Sequence, residues 1–533
     1  MNSAHSGDTI IVDPGNYIGN IDISKLNDLN DLALVAASDD PTKTVISANN
    51  SAPATVGGVI TIKYKTNVRV KGFTIIGASR TNAAGDPNLA GVYLFQSKQC
   101  TVENNIFLND GIGVKVETAT GNNKVLNNNF TRSSAVGTGR GLTLDTAGNI
   151  EVSQNLISNQ NIGIYCSNCR GSLLSGNTIS NNANYGIQLE DSRNVNIDGN
   201  TLNLDGQAAV YMARSDGNNV TNNSAQMIGY QVNVANTNVN TNAISLASSN
   251  SNTISNNHVS NSEHGIFLFE STKNTLQNNR VTSSDYGIAM RRSQNNNVMN
   301  NNVEGDNWGI FCTYDDSGNT ITGNTANGCV NAGIYLNSFC GENNVVDNNT
   351  LTSNTYYGIH VEASKNTISN NVVSGNDRGI FLVGSTCIGN TVSKNIVNNN
   401  RKDGIRLTNA SSNKVIGNTL DSNFEDGIYL FSSNNSNIDS NIAQTNARRG
   451  IHAENSTGVI VNNNTVQGNN VGIRLHITDN STISKNTASS NTVGIDLNSA
   501  LNNNIASNFI TDNTSIASTA KGLIKSISTI QNQ

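Results

Sequence analysis

From the middle of the chain to its end, a phrase of glycine, apolar, any, apolar keeps returning, as in Gly265-Ile266-Phe267-Leu268, Gly427-Ile428-Tyr429-Leu430 and Gly472-Ile473-Arg474-Leu475. The stretch KNTISNNVVSGNDRGIFLVGS, residues 365–385, holds one full repeat, with three short segments of alternating apolar and polar residues separated by Asn, Ser and Gly. Alternation in twos predicts strands, and no segment carries the 3.6-residue stripe of a helix. The phrase starts at Gly265, Gly287, Gly309, Gly333, Gly358, Gly379, Gly404, Gly427, Gly450, Gly472 and Gly494, at intervals of 21 to 25 residues. Upstream it begins at Gly91, Gly113, Gly141, Gly163 and Gly186, and between Gly186 and Gly265 it persists as Ala209 to Met212 and Ala243 to Leu246. A repeat this short, kept for this long, marks a solenoid.

Three strands per repeat, each too short to survive alone, predict an all-β fold: a single parallel β-helix of about 21 coils, each stacked on its copy in the next. Residues 1–90 form irregular opening coils, around Ser6 to Ser24, Thr44 to Ser47 and Val68 to Gly77, and 91–514 form the regular array. The opening MNSAHSG is expected to plug one end, because an uncovered coil exposes strand edges, and residues 515–533 to cap the other or trail from it. No second domain and no linker is expected. The Asn excess reads as structural, through turn sites that tolerate left-handed backbone and through stacked amides.

Charged residues are only 13% of the chain and the net charge is −6, which argues against general nucleic-acid binding. No signal peptide and no apolar run of membrane-spanning length is present, and the composition suits a secreted or cell-surface protein without a transmembrane segment. Of the seven cysteines, Cys166 and Cys312 take a position where other coils carry Leu and read as core. Cys166 and Cys169 form a C-x-x-C pair with no second pair at zinc spacing, and Cys329 and Cys340 are placed for a disulfide. No metal site and no cofactor is assigned, although Asp315 to Asn319 offers oxygens that suit either Ca²⁺ or an ordinary polar turn.

If the first and third residues after each glycine point inward, the second and fourth point out. The second position then reads, in part, Phe267, Phe311, Tyr335, His360, Phe381, Arg406, Tyr429, His452 and Arg474, and the fourth includes Glu362, Glu454 and His476. Before the glycine stand Trp308, Tyr357, Asp377-Arg378, Lys402-Asp403, Glu425-Asp426 and Arg448-Arg449. Aromatic faces suit sugar rings and guanidinium groups suit carboxylates, so the strip predicts recognition of an acidic polysaccharide. Its expected contacts are Phe267, Trp308, Phe311, Tyr335, Glu362, Phe381, Tyr429, Arg449, His452, Glu454 and Arg474. The same pattern also suits cross-coil packing of an exposed sheet.

Catalysis, if present, is expected on three consecutive coils. Arg378, Lys402 or Arg406 would neutralise a uronate carboxylate while His360 or Tyr357 moves the proton beside it, and Asp377 with Asp403 would suit glycoside hydrolysis. A second set, Glu425, Asp426, Arg448, Arg449, His452 and Glu454, offers the same chemistry.

The phrases NTISNN, GIFLVGS, GIYLFSS and GDTIIVDPGNY resemble right-handed parallel β-helix proteins of the carbohydrate-binding and sugar-hydrolase type. These include alginate C5-epimerases, polysaccharide lyases, periplasmic accessory proteins for the copper site of nitrous oxide reductase, and archaeal surface proteins. The resemblance covers nearly the whole chain and implies the fold more strongly than any activity. Epimerases of this kind carry a Tyr-Gly-apolar-Asp-Pro-His motif. The nearest phrase here, Tyr357 to Glu362, lacks Asp-Pro, and no proline lies beyond Pro87. No Cys, Met and His cluster suited to copper is evident. Three roles follow: an extracellular protein that binds an acidic polysaccharide and modifies it by epimerisation, elimination or hydrolysis; a non-catalytic adhesive surface protein that self-associates; and an accessory protein for metal-centre assembly.

Overall fold

The computed structural model describes residues 4–25, 29–49, 57–79, 89–133, 139–203, 205–227, 241–520 and 524–528, with side chains to 515. The first three residues of the expected N-terminal plug lie outside this set. The fold is the all-β parallel solenoid that the repeat predicts, with strands on three parallel sheets, about 20 turns, and only two 3-10 turns, Ile23–Lys25 and Pro41–Lys43, breaking the all-strand pattern among the described residues. No described helix is long and apolar enough to cross a membrane.

The chain divides into two compact units, Met1–Thr275 and Leu276–Gln533. A solenoid turn buries its apolar residues against its immediate neighbours, so no single core gathers the whole array. In the first unit the third sheet, which carries the glycine phrase, runs from Ile21–Asp22 to His264–Phe269. The blurred phrases keep their place in it: Gln188 pairs with Tyr211, Tyr211 with Ser245 and Ser245 with Phe267. In the second unit the same sheet runs from Tyr286–Arg291 to Ser515–Ala520. After residue 514 come two further strands, Ser515–Ala520 beside Val493–Asn498 and Ile524–Ser528 beside Asn503–Ala506.

The inside and outside of each turn follow the predicted alternation. In Arg378–Val383 the residues Gly379, Ile380 and Leu382 are buried, while Arg378, Phe381 and Val383 are half-exposed. Glycine is favoured before the inward apolar residue because the coils approach closely there. A Cβ on Gly450 would lie 2.7 Å from the Gly472 carbonyl oxygen, and one on Gly427 would lie 2.7 Å from that of Gly450.

The Asn-Asn pairs divide their labour. Asn370 takes φ 54° at the corner, and Asn371 turns into the interior with no exposed surface. Asn371 Oδ1 accepts from the Asn349 backbone N–H at 2.9 Å and from its Nδ2 at 3.0 Å, while Asn371 Nδ2 donates to Val346 O and Asn395 Oδ1, both at 2.9 Å. Repeated at each turn, this satisfies corner groups that no strand can reach.

Candidate functional site

The strip on the third sheet of the second unit is built by register. Phe311 pairs with Tyr335, Tyr335 with His360, His360 with Phe381, Phe381 with Arg406, Arg406 with Tyr429, Tyr429 with His452 and His452 with Arg474. The upstream part is a stack of rings. Trp308 lies 4.7 Å from Tyr335, Tyr335 4.6 Å from His360, and Tyr357 5.1 Å from Phe381, centroid to centroid.

His360 is sealed into that stack, with Tyr357 4.7 Å to its side. Burial pushes its imidazole down to about 4, so it is neutral near pH 7. Its Nε2 stands 3.4 Å from Glu362 Oε1, and neither ring nitrogen makes a hydrogen bond to the described residues. Phe381 separates His360 from Arg406 in the column, so the expected three-coil set divides into an aromatic group and a charged group.

The charged group centres on Asp403 and Asp426, which are 1% and 2% exposed. Both stand immediately before the glycine, where neighbouring coils place Tyr357, Arg378 and Arg449, and their strands begin only at Ile405 and Ile428. The Asp426 backbone N–H approaches Asp403 Oδ1 at 3.4 Å. Arg406 Nη1 donates to Asp403 Oδ2 at 3.2 Å, and Arg378 Nε lies 3.6 Å from the same oxygen. On the next turn Arg449 Nη1 donates to Asp426 Oδ2 at 3.2 Å, and His452 Nδ1 lies 3.1 Å from it. Desolvation, reinforced by the neighbouring Asp426 charge and opposed by Arg406, pushes the Asp403 carboxyl up to about 6. Burial likewise lowers His452, against the pull of Asp426.

The remaining predicted residues surround this centre. Lys402 Nζ donates to Asp377 Oδ2 at 2.8 Å, and Arg378 Nη1 lies 3.8 Å from that oxygen. Tyr429 stacks on His452 at 4.6 Å and carries the Arg406 guanidinium over its other face at 4.6 Å. Arg474 Nε lies 3.4 Å from Asp496 Oδ2, and Arg448 lies 3.8 Å from Glu425 at the rim. Phe267 belongs to the first unit, where it stacks on His264 at 4.5 Å.

Sequence reasoning places Asp403 and Asp426 in separate sets, whereas the structure joins them. The available signal was two consecutive coils with Asp before Gly. It also passes over Tyr93 with Glu117 in the first unit, and the Glu190 partner of the second-position Tyr165, which repeat the second-position and fourth-position pattern. Asp316, offered to calcium, instead turns its oxygens to the Ser293 and Thr313 backbone N–H groups, both at 2.6 Å. Burial pushes that carboxyl up to about 8. No described group of three or more His, Cys, Asp or Glu residues could hold a metal ion.

Comparison with solved structures finds limited likeness. The Dettilon tailspike protein gp208 is 17% identical over 63% of this chain and 62% of its own, with a TM-score of 0.38. The Azotobacter vinelandii mannuronan C-5 epimerase AlgE6 A-module is 13% identical over 80% and 90%, with a TM-score of 0.24. The catalytic unit of the GH87 α-1,3-glucanase from Streptomyces thermodiastaticus is 14% identical over 72% and 61%, with a TM-score of 0.31. Thus the chain spans less than two thirds of the tailspike and glucanase chains. No protein with a curated description matches. The right-handed β-helix region family matches residues 242–395. A second family, described as periplasmic copper-binding protein (NosD), matches residues 1–203, 132–241, 341–452 and 420–525. Its matches take in most of the chain, which therefore belongs to the NosD family.

Proposed function

We propose that this chain is a periplasmic or extracellular solenoid that binds an acidic polysaccharide along the strip from Trp308 to Arg474. The observation that carries the reading is the in-register column of rings and guanidinium groups from Phe311 to Arg474, in a chain with only 5% aromatic and 13% charged residues. Such a column presents one contact per coil, about 4.8 Å apart, to a polymer lying along it. The outward ring edges meet sugar C–H surfaces, and the outer edges of Arg378, Arg406, Arg449 and Arg474, each 20–24% exposed, meet carboxylates. Lys402 and Arg448, 41% and 60% exposed, extend the cationic rim.

Binding is favoured over turnover because the acid–base groups are covered. His360, Asp403, Asp426 and His452 are each less than 9% exposed, beneath side chains that a polymer would touch first. Proton NMR with alginate, polygalacturonate and other uronate polymers in heavy water tests both parts. Line broadening without deuterium uptake at C5 and without new chain ends supports binding alone. Exchange or cleavage assigns chemistry to the same strip, and silence across all polymers removes the reading.

Family membership favours a second reading, an accessory role in metal-centre assembly. The residues present do not fit copper: all seven thiols are buried, and no described group of three or more His, Cys, Asp or Glu residues could hold a metal ion. That role would rest on contact with a partner protein.

A further inference from the structure

Away from the strip, four buried thiols stand in two pairs at equivalent corners, where the third sheet turns toward the first. Cys166 points inward from Ile162–Ser167 and pairs in register with Leu144. Asn168 then takes φ 52°, and this turns Cys169 back so that its Sγ reaches the Leu144 carbonyl at 3.4 Å. Both cysteines thus sit beside Leu144, on the same step of the interior. In the second unit, Cys312 points inward from Trp308–Thr313. Asn337 N–H donates to the Cys312 carbonyl at 3.1 Å, and the Asn337 carbonyl accepts from Cys340 N–H at 2.8 Å. That turn carries Cys340 Sγ to the Asp316 carbonyl at 3.5 Å, four residues beyond Cys312 on the same coil. Other coils fill this corner with Ser192, Ser249, Ala363, Ala410 or Ser433.

Of the remaining cysteines, Cys387 takes the same corner as Cys169 but follows an inward Leu382 where Cys169 follows Cys166. Cys100 Sγ faces Lys98 O at 3.4 Å and Cys387 Sγ faces Val361 O at 3.4 Å. Cys329 sits under the glycine column, its Sγ 3.1 Å from where a Cβ on Gly309 would lie. Cys329 and Cys340, expected as a disulfide, are both free thiols, and Cys340 Sγ lies instead at the Asp316 carbonyl.

We propose that Cys166 with Cys169, and Cys312 with Cys340, are two disulfide-forming sites that close when the folding chain meets a disulfide-bearing oxidant. In each, one thiolate attacks the oxidant's disulfide to give a mixed disulfide, and the second thiol displaces it. One S–S bond forms in the protein, and its two electrons and two protons leave with the oxidant as two thiols. All four sulfurs are fully or almost fully buried, so closure belongs to folding, before the corner is sealed. The Cys312 to Cys340 bridge spans the longer loop and constrains the unfolded chain more. Neither bridge depends on the polysaccharide reading.

The test is to refold the full chain in a glutathione redox buffer and in reductant, label free thiols with maleimide after denaturation, and map the peptides. The oxidised sample is expected to label only Cys100, Cys329 and Cys387 and to yield the two named bridges, while the reduced sample labels all seven. Cys166→Ser and Cys340→Ser are each expected to remove one bridge and keep the other, and Cys329→Ser to keep both. Seven labelled thiols in the oxidised sample, or a bridge between Cys329 and Cys340, overturns the proposal.

Discussion

The Tyr429 hydroxyl donates a 2.7 Å hydrogen bond to Glu454 Oε2 on the following turn, beneath the guanidinium of Arg406. The arrangement recurs. Tyr93 donates to Glu117 at 2.8 Å with Lys115 over its ring, and Tyr165 donates to Glu190 at 2.7 Å with Arg140 over its ring. Burial, reinforced by the carboxylate acceptor, pushes the Tyr165 phenol up to about 12 and holds Tyr429 well above its ordinary range. These phenols are fixed hydrogen-bond donors. Tyr429→Phe is expected to lower stability by about 1 kcal/mol, because Glu454 regains water when it loses the donor. A double-mutant cycle of Tyr429→Phe with Glu454→Gln checks it; zero coupling would contradict the pairing.

Replacing Asn371 by Ala strands several interior groups at once. The Asn349 backbone N–H and Nδ2 lose their acceptor, and the Val346 carbonyl and Asn395 Oδ1 lose a donor. At about 1–3 kcal/mol per unsatisfied buried group, the loss is expected to exceed about 3 kcal/mol. A denaturant titration followed by circular dichroism measures it. The neighbouring corner variant Asn370→Gly keeps the left-handed turn and is expected to change stability by less than about 1 kcal/mol.

Gly358→Ala is expected to destabilise by at least about 2 kcal/mol, since its Cβ would lie 2.8 Å from the Gly379 carbonyl oxygen as well as against Val373. A thermal melt that matches wild type would contradict the claim that glycine is there for close backbone approach.

The contribution of two buried carboxyls to stability is expected to fall as pH rises from about 4 to about 8. Burial pushes the Asp205 carboxyl up to about 8 and that of Asp306 up to about 7, and each leaves Oδ2 without a hydrogen bond among the described residues. In the unfolded chain these carboxyls titrate near about 3.9. Between the two ranges the folded protein binds protons that the unfolded chain has released, so their contribution is complete below about pH 4 and lost as pH passes the folded values. Asp205→Asn keeps an acceptor for Asn182 while removing the titration. Its melting temperature is expected to depend less on pH, rising relative to wild type at pH 8.

Fold and inward face are legible in this sequence because Ile380, Leu382 and Asn371 answer to local rules, alternation and corner geometry. Even Ala209, standing where glycine usually does, keeps the register. The charged centre is not legible in that way. Whether Asp403 meets Asp426, or Cys340 meets Cys312, depends on how many residues each coil spends at its corners. Position along the column likewise hides burial: His360 looks outward in the alternation, but Tyr335, Tyr357 and Phe381 cover it.

Calorimetric titration with oligouronates, for wild type and for Arg406→Ala with Arg474→Ala, tests the central claim most directly. Wild type is expected to bind uronate oligomers in preference to neutral dextran, more weakly as salt rises, and the double variant to lose at least tenfold in affinity while keeping its circular dichroism spectrum. Equal affinity in wild type and variant, or no heat with any uronate, would contradict the account.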